Sequence, residues 1–180
     1  MYQNWKMSRL LALDQASITT GYSIFIDGKL EKWGHFTAKG EIGDRLVQIR
    51  DFVSQTIQDY EIDQVVFEDI QFQDKVQNNI QTFKVLAEVF GIIYELVTEL
   101  NIPNQAVLAG TWKSTLGIKG KNRVEQKRNA QEFVQNTYNI KCSQDEADAI
   151  CIGTHILVKE GIIQKPKNKT SFIEDVFDWS

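Results

Sequence analysis

Four acidic residues lie at the edges of apolar runs, where a carboxylate could take part in chemistry. Asp14 ends the run LLALD and Glu68 ends VVFE, whereas Asp145 and Asp148 precede the run AICIG. An acid at the edge of an apolar run is costly unless its side chain leaves the core or finds a partner. Asp145 and Asp148 are three residues apart, so they would share one face of a helix.

If these four acids lie close together in the fold, they are expected to form a metal site. In an α/β sheet, strand ends and helix starts meet at one rim, where sites tend to form. Four carboxylates at that rim would repel one another, and divalent cations would relieve the repulsion. Ligation by oxygen alone suits Mg²⁺ or Mn²⁺. A pair of such ions roughly 4 Å apart can activate water and stabilise the leaving oxygen in phosphodiester cleavage.

The stretch SQDEADAICIG also has a purely structural interpretation. Ser143 and Glu146 fit a capping box, and acids near a helix N-terminus are stabilised by the helix dipole. Asp145 and Asp148 taken alone could therefore be helix-start acids and nothing more. A DEAD-box ATPase is excluded, because LGIKGKNR is the nearest approach to a phosphate loop and lacks the required spacing.

Composition indicates an ordinary globular protein. The chain has 180 residues, of which 42% are hydrophobic and 24% charged, enough for one domain with its own core. Two cysteines make neither a disulfide framework nor a metal-ligand pattern. The sequence shows no signal peptide and no run of apolar residues long enough to cross a membrane. We therefore expect a cytoplasmic protein, in a bacterium or a phage-infected host, with no membrane partner.

The charge is unevenly distributed. The net charge of −4 argues weakly against nucleic-acid binding. Residues 111–131 are nevertheless basic, with Glu125 as their single acid, and partners respond to such local fields. The bases in this segment are Lys113, Lys119, Lys121, Arg123, Lys127 and Arg128.

Five strands are predicted from apolar and β-branched runs. SRLLALD is the first, YSIFID and KLEKWGHFT follow, and QASITTG is read as a turn between the first two. Asp27-Gly28 between β-rich runs is a strong hairpin signal, so three antiparallel strands should open the domain. IDQVVFED and QAVLA are the fourth and fifth strands.

Helical spacing predicts four helices, over residues 43–60, about 78–100, about 122–137 and about 144–159. The predicted order is β-β-β-α-β-α-β-α-α. It implies an α/β fold in which a mixed five-stranded sheet, three antiparallel strands and then β/α units, is flanked by helices. We assign residues 1–160 to the domain and 161–180 to a C-terminal tail.

Three blocks carry a family resemblance. LALDQASITTGYSIF, VVFEDIQ and DEADAICIG, in that order, resemble the RuvC family of Holliday-junction resolvases, in the ribonuclease H-like superfamily. The resemblance implies that Asp14, Glu68, Asp145 and Asp148 are catalytic and hold two Mg²⁺ ions, with Mn²⁺ as a substitute. Asp14 would bridge both ions, and Asp148 would hold the one that activates water. The implied activity is a structure-selective endodeoxyribonuclease that resolves four-way junctions by paired nicks in DNA recombination and repair.

The resemblance also implies DNA contacts. The family holds DNA with basic residues ahead of the last helix, and Lys113 lies at the matching place. Arg123 is the second match, although Lys121 competes with it. Lys113 and Arg123 could instead be ordinary solvated charges. Phe72 is near the family's junction-centre aromatic but one residue later than expected. Lys75, at the start of the long helix, could touch a phosphate.

Departures from the family pattern indicate a divergent, phage-type member. Cellular RuvC proteins usually have Pro-Gly after the first Asp, where this chain has Gln15-Ala16. A symmetric junction makes a two-fold homodimer the economical architecture, and the helix over about 78–100 is the candidate interface. We expect Trp112 to be a core or edge residue and His155 a packed histidine without a catalytic role.

Two alternatives stay open. The same four carboxylates would serve a ribonuclease H-like nuclease that cuts RNA/DNA hybrids or other RNA. The chain could also be a catalytically silent module that binds junctions, although such a module would have no need of four intact acids.

Overall fold

A mixed sheet of five strands forms the centre of the part of the chain that the structure describes. The computed structural model describes residues 8–71 and 79–166. The strands are β1 (Arg9–Asp14), β2 (Thr19–Ile26), β3 (Lys29–Thr37), β4 (Gln64–Glu68) and β5 (Asn104–Val107). Their order across the sheet is β3-β2-β1-β4-β5. The three N-terminal strands are antiparallel, whereas β4 runs parallel to both β1 and β5.

The predicted hairpin between β2 and β3 is confirmed. Asp27 and Gly28 have φ angles of 50° and 77°, as a two-residue type I′ turn requires. The predicted turn before β2 is only partly right, because Thr19, Thr20 and Gly21 already belong to the strand. Threonine favours strands, and this preference prevails over the turn preference of the stretch once Thr19 and Thr20 pair with β3.

Within residues 8–71 and 79–166, five helices accompany the sheet, one more than predicted. They are α1 (Ile42–Asp59), α2 (Asn79–Glu99), α3 (Ala109–Leu116), α4 (Arg123–Tyr138) and α5 (Gln144–Lys159). The predicted bounds of α5 are confirmed, and those of the other three predicted helices are right to within one residue. The prediction lacked α3 and extended β5 to Ala109, which is the first residue of α3. None of the helices in residues 8–71 and 79–166 has the length and apolar character needed to cross a membrane.

The helices cover both faces of the sheet, so each central strand is buried on two sides. One face packs against α3, α4 and α5 through side chains such as Phe25 and Val66. The other packs against α1 and α2 through Leu11 and Val65. Helix α5 is buried continuously from Ala147 to Leu157. This burial anchors α5 against β1 and β2 and fixes where its N-terminus meets the rim of the sheet.

Candidate functional site

Asp14 and Glu68 end neighbouring parallel strands at the same rim. The β1–β4 register pairs Leu13 with Phe67, so the two acids that follow lie side by side. Helix α5 brings Asp145 and Asp148 to this rim in its first turns. The Asp14 carboxyl feels the negative charges of Asp148, Glu68 and Asp145. The structure therefore brings the four predicted acids into one electrostatic cluster.

Burial makes the charged forms of three of these acids unfavourable. The pKa of Asp14 is raised well above its usual value, by burial first and then by the charges of Asp148 and Glu68. Burial also raises the pKa of Glu68, which a hydrogen bond from Trp112 opposes. Asp148 is only 7% exposed. Its pKa is raised by burial against the lowering effect of Lys127 and Lys113. A cation bound at this cluster would relieve the repulsion among the carboxylates and stabilise their charged forms.

Lys127, from the second turn of α4, supplies a positive charge at the cluster. Its Nζ lies 3.5 Å from Oδ2 of Asp148 and 3.7 Å from Oδ1 of Asp145. The sequence placed Lys127 in the basic segment but gave no reason to single it out. Its ammonium group lies at the position where a cation would compensate the two α5 acids.

Trp112 and Lys113 form the wall of the cluster nearest Glu68. Trp112 is fully buried in the core, as expected, and its Nε1 donates to Oε2 of Glu68 at 3.0 Å. Lys113 lies over the Trp112 ring, with Nζ 5.1 Å from the centroid, and Nζ donates to Gln126 at 3.2 Å. The charge of Lys113 lowers the pKa of both Glu68 and Asp148. Both residues therefore act directly on the carboxylates.

The predicted capping box at the start of α5 is confirmed. Ser143 accepts from the backbone N–H of Glu146, whose carboxylate accepts from Ser143 N–H at 2.8 Å. Glu146 also contacts His35 Nδ1 at 2.8 Å. Burial raises the pKa of Glu146, but hydrogen bonds from Ser143 and His35 outweigh it and lower the pKa below its usual value. Glu146 thus has a structural role at the helix start.

The carboxylate oxygens of the cluster are suitable ligands for a hard divalent cation, although they lie farther apart than ligands of one ion do. Across residues 8–71 and 79–166, no three His, Cys, Asp or Glu side chains are close enough together to hold a metal ion as they stand. The chemistry nevertheless fits, because the buried acids are carboxylates and already lie beside a lysine ammonium. Binding of an ion therefore requires these side chains to move closer together.

The other predicted residues are placed as follows. Lys121 and Arg123 are exposed around the N-terminus of α4. Phe72 and Lys75 lie outside the residues that the structure describes. His155 is buried in α5, and its Nδ1 has no hydrogen-bond partner within the described part of the chain. Burial lowers its pKa, which agrees with a packed neutral histidine.

Comparison with known proteins identifies the fold through structure alone. No protein-family model matches the chain, and no curated protein matches it in sequence. Solved structures do match. Thermus thermophilus RuvC in complex with a Holliday junction superposes with a TM-score of 0.66 at 14% identity, over 86% of this chain and 97% of that one.

Two further resolvases match less closely. The yeast mitochondrial Holliday junction resolvase Ydc2 has a TM-score of 0.57 at 13% identity, over 86% of this chain and 80% of that one. The fowlpox virus resolvase, solved with Holliday junction DNA, has a TM-score of 0.54 at 15% identity, over 87% and 99%. The chain therefore has the ribonuclease H-like fold of the Holliday-junction resolvases.

Proposed function

We propose that the chain is a divalent-metal-dependent endodeoxyribonuclease that cuts four-way DNA junctions by paired nicks. The observation that carries this proposal is the clustering of Asp14, Glu68, Asp145 and Asp148 at one rim of the sheet. Two of the similar structures, RuvC and the fowlpox virus resolvase, hold Holliday junction DNA, which supports the choice of substrate.

The four acids are the proposed ligands of two Mg²⁺ ions, with Mn²⁺ as a substitute. Ions bound there would supply a nucleophilic water at neutral pH and stabilise the charge on the leaving oxygen. The chain itself binds and orients. Trp112 holds one carboxylate oxygen of Glu68, and Lys127 balances the negative charge of Asp145 and Asp148.

The basic segment 111–131 is the proposed DNA surface. Lys121 and Arg128 line an open depression together with Asn122, Val124 and Glu125. Lys113 belongs to this segment, and its charge acts on Asp148, so it is the proposed contact for a phosphate near the carboxylates. Arg123, Phe72 and Lys75 are further proposed DNA contacts. Because phosphate contacts release counterions, junction binding should weaken steeply as salt is raised.

Helix α2 is the proposed interface of a homodimer. Val89, Ile93, Leu96 and Val97 are buried against the chain's own core. A second stripe of the helix has the a/d spacing of a helix–helix seam and contains two exposed residues, Ile80 at 66% and Tyr94 at 54%. The residues of this seam are Ile80, Phe83, Ala87, Phe90 and Tyr94. A two-fold dimer would present two carboxylate clusters to the two equivalent strands of a junction.

The deciding experiment is cleavage of a labelled synthetic four-way junction in Mg²⁺, in Mn²⁺ and in EDTA. A linear DNA duplex and an RNA/DNA hybrid of the same sequence are the parallel substrates. We expect paired nicks in the junction alone, and no nicks in EDTA or with Asp14→Asn. Asp44→Asn, which changes an acid in the first turn of α1, is the matched control and should cut normally.

Each other outcome selects an alternative. Cleavage of the hybrid in preference to the junction would replace the substrate while keeping the metal site. Tight junction binding without cleavage in any metal would favour a catalytically silent binding module. Wild-type cutting by Asp14→Asn would contradict the assignment of the carboxylates.

A further inference from the structure

The side chain of Gln15 makes a two-bond contact with the main chain of Glu68. Its Nε2 donates to the Glu68 carbonyl oxygen at 2.5 Å, and its Oε1 accepts from the Glu68 N–H at 3.1 Å. Gln15 is only 6% exposed. A side-chain carboxamide has the same donor and acceptor as a peptide group, so it can continue a strand ladder.

The contact lies where the ladder between β1 and β4 ends. Paired residues in that ladder stop at Leu13 and Phe67, one position before the two acids. On its other side, β4 continues to pair with β5, as Glu68 with Val107. Without Gln15, the N–H and C=O of Glu68 that face β1 would be unpaired in a part-buried place, a costly state that favours local rearrangement.

Glu68 is therefore fixed at two points. Gln15 fixes its main chain, and Trp112 fixes its carboxylate through the bond from Nε1. Gln15 also directly follows Asp14, so one loop sets the relative position of two proposed metal ligands. Groups that orient ligands from behind usually affect metal affinity strongly.

We propose that Gln15 is a positioning residue, whose carboxamide holds the main chain of Glu68 so that Asp14 and Glu68 can bind the same metal centre. The inference rests on the proposed function for its metal, but the contact itself can be tested without DNA or cleavage. In this proposal Gln15 acts through its contact with the Glu68 main chain and has no direct role toward substrate or metal.

The test variant is Gln15→Met, which keeps the length of the side chain and removes both hydrogen bonds. Gln48→Met is the matched control, because Gln48 makes the same pair of bonds to the main chain of Lys39, at 3.1 and 2.7 Å. Three quantities are measured on the DNA-free protein. They are amide hydrogen exchange at Glu68 by NMR, Mn²⁺ binding by electron paramagnetic resonance, and thermal unfolding. A fourth measurement, made with DNA, is the Mg²⁺ concentration needed for half-maximal junction cleavage.

We expect Gln15→Met to accelerate exchange of the Glu68 amide about tenfold or more. Its Mn²⁺ binding should weaken roughly 10- to 100-fold, with a matching rise in the Mg²⁺ needed for half-maximal cleavage. Junction binding in EDTA should stay within about twofold of wild type, because the Gln15 side chain is buried and offers almost no surface to a ligand. Gln48→Met removes bonds to an exposed main chain, so it should lose less thermal stability and keep wild-type Mn²⁺ binding.

Unchanged exchange at Glu68 or wild-type Mn²⁺ affinity in Gln15→Met would overturn the inference, as would equal weakening of Mn²⁺ binding in both variants. If Gln15→Met does not fold, Gln15→Asn takes its place under the same criteria, since its carboxamide is one methylene too short. Wild-type protein that binds Mn²⁺ but cuts no junction would overturn the proposed function alone.

Discussion

At the scale of single residues, the buried negative charges of Asp14, Glu68 and Asp148 destabilise the metal-free protein. Burial is the first cause that raises the pKa of each of them. Because their pKa values in the folded state exceed those in the unfolded state, the unfolded state loses these protons first as pH rises. The contribution of these groups to the free energy of unfolding therefore declines from about pH 4 up to the raised pKa values.

Asp14→Asn should stabilise the protein in EDTA while abolishing cleavage. The substitution removes a buried charge that three neighbouring acids repel. Relief of this repulsion should raise Tm by roughly 2–4 °C, the change that about 1 kcal/mol produces in a chain of this size. Calorimetry at pH 8 in EDTA measures the gain, which should shrink at pH 4, where the wild-type acid is protonated. A lower Tm at pH 8 would show that the Asp14 charge is well compensated.

Lys127→Met should bind Mn²⁺ more tightly than wild type. The ammonium group of Lys127 competes with any metal for Asp145 and Asp148, from which it lies 3.7 and 3.5 Å away. In EDTA the variant should lose roughly 1 kcal/mol of stability, because two acids lose their counter-charge. Lys119→Met, an exposed lysine in the preceding loop, is the control for both measurements. Weaker Mn²⁺ binding by Lys127→Met would instead mean that Lys127 holds the carboxylates in position.

At the scale of elements, strong local patterns were sufficient to predict structure and weak ones were not. The capping box set the start of α5, and the left-handed pair Asp27-Gly28 set the hairpin. Helix α3 was missed because its eight residues bury only Trp112 and Leu116 and begin without a side-chain cap. Its helical state depends on packing against the core, which the local sequence does not encode.

Gly21→Ala should reduce both stability and cleavage, because Gly21 of β2 lies very close to the N-terminus of α5. A Cβ at Gly21 would lie 2.1 Å from the carbonyl oxygen of Asp145, so the N-terminus of α5 would have to shift. We expect a loss of roughly 1–3 kcal/mol in unfolding free energy and a marked loss of cleavage. Gly43→Ala is the control, because nothing lies within 4 Å of its added Cβ. Normal activity in both variants would show that α5 can shift without disturbing Asp145.

At the scale of the whole molecule, the sequence predicted which acids meet but not what surrounds them. Asp14 and Glu68 were predicted to meet because parallel strands end at one rim, an inference that needs only element order. The contacts of Gln15, Trp112 and Lys127 depend on side-chain placement across separate elements. Glutamine, tryptophan and lysine have many ordinary roles, so their types gave no signal of a role at the cluster.

Assembly is the largest-scale prediction. If α2 forms the interface, Ile80→Arg with Tyr94→Arg should turn a dimer into a monomer, because both side chains are exposed on the proposed seam and charges there would be buried on pairing. Sedimentation equilibrium at micromolar concentration measures the change. Val47→Arg, which replaces an apolar residue of α1 with 60% exposure, is the control and should leave the assembly unchanged.

The monomer should retain its carboxylate cluster, so single nicks should persist while paired nicks in one junction are lost. A supercoiled plasmid with an extruded cruciform separates the two outcomes, because paired nicks linearise it and a single nick only relaxes it. If wild-type protein sediments as a monomer and still linearises the plasmid, the dimer proposal is wrong. The two cuts would then come from successive, independent binding events.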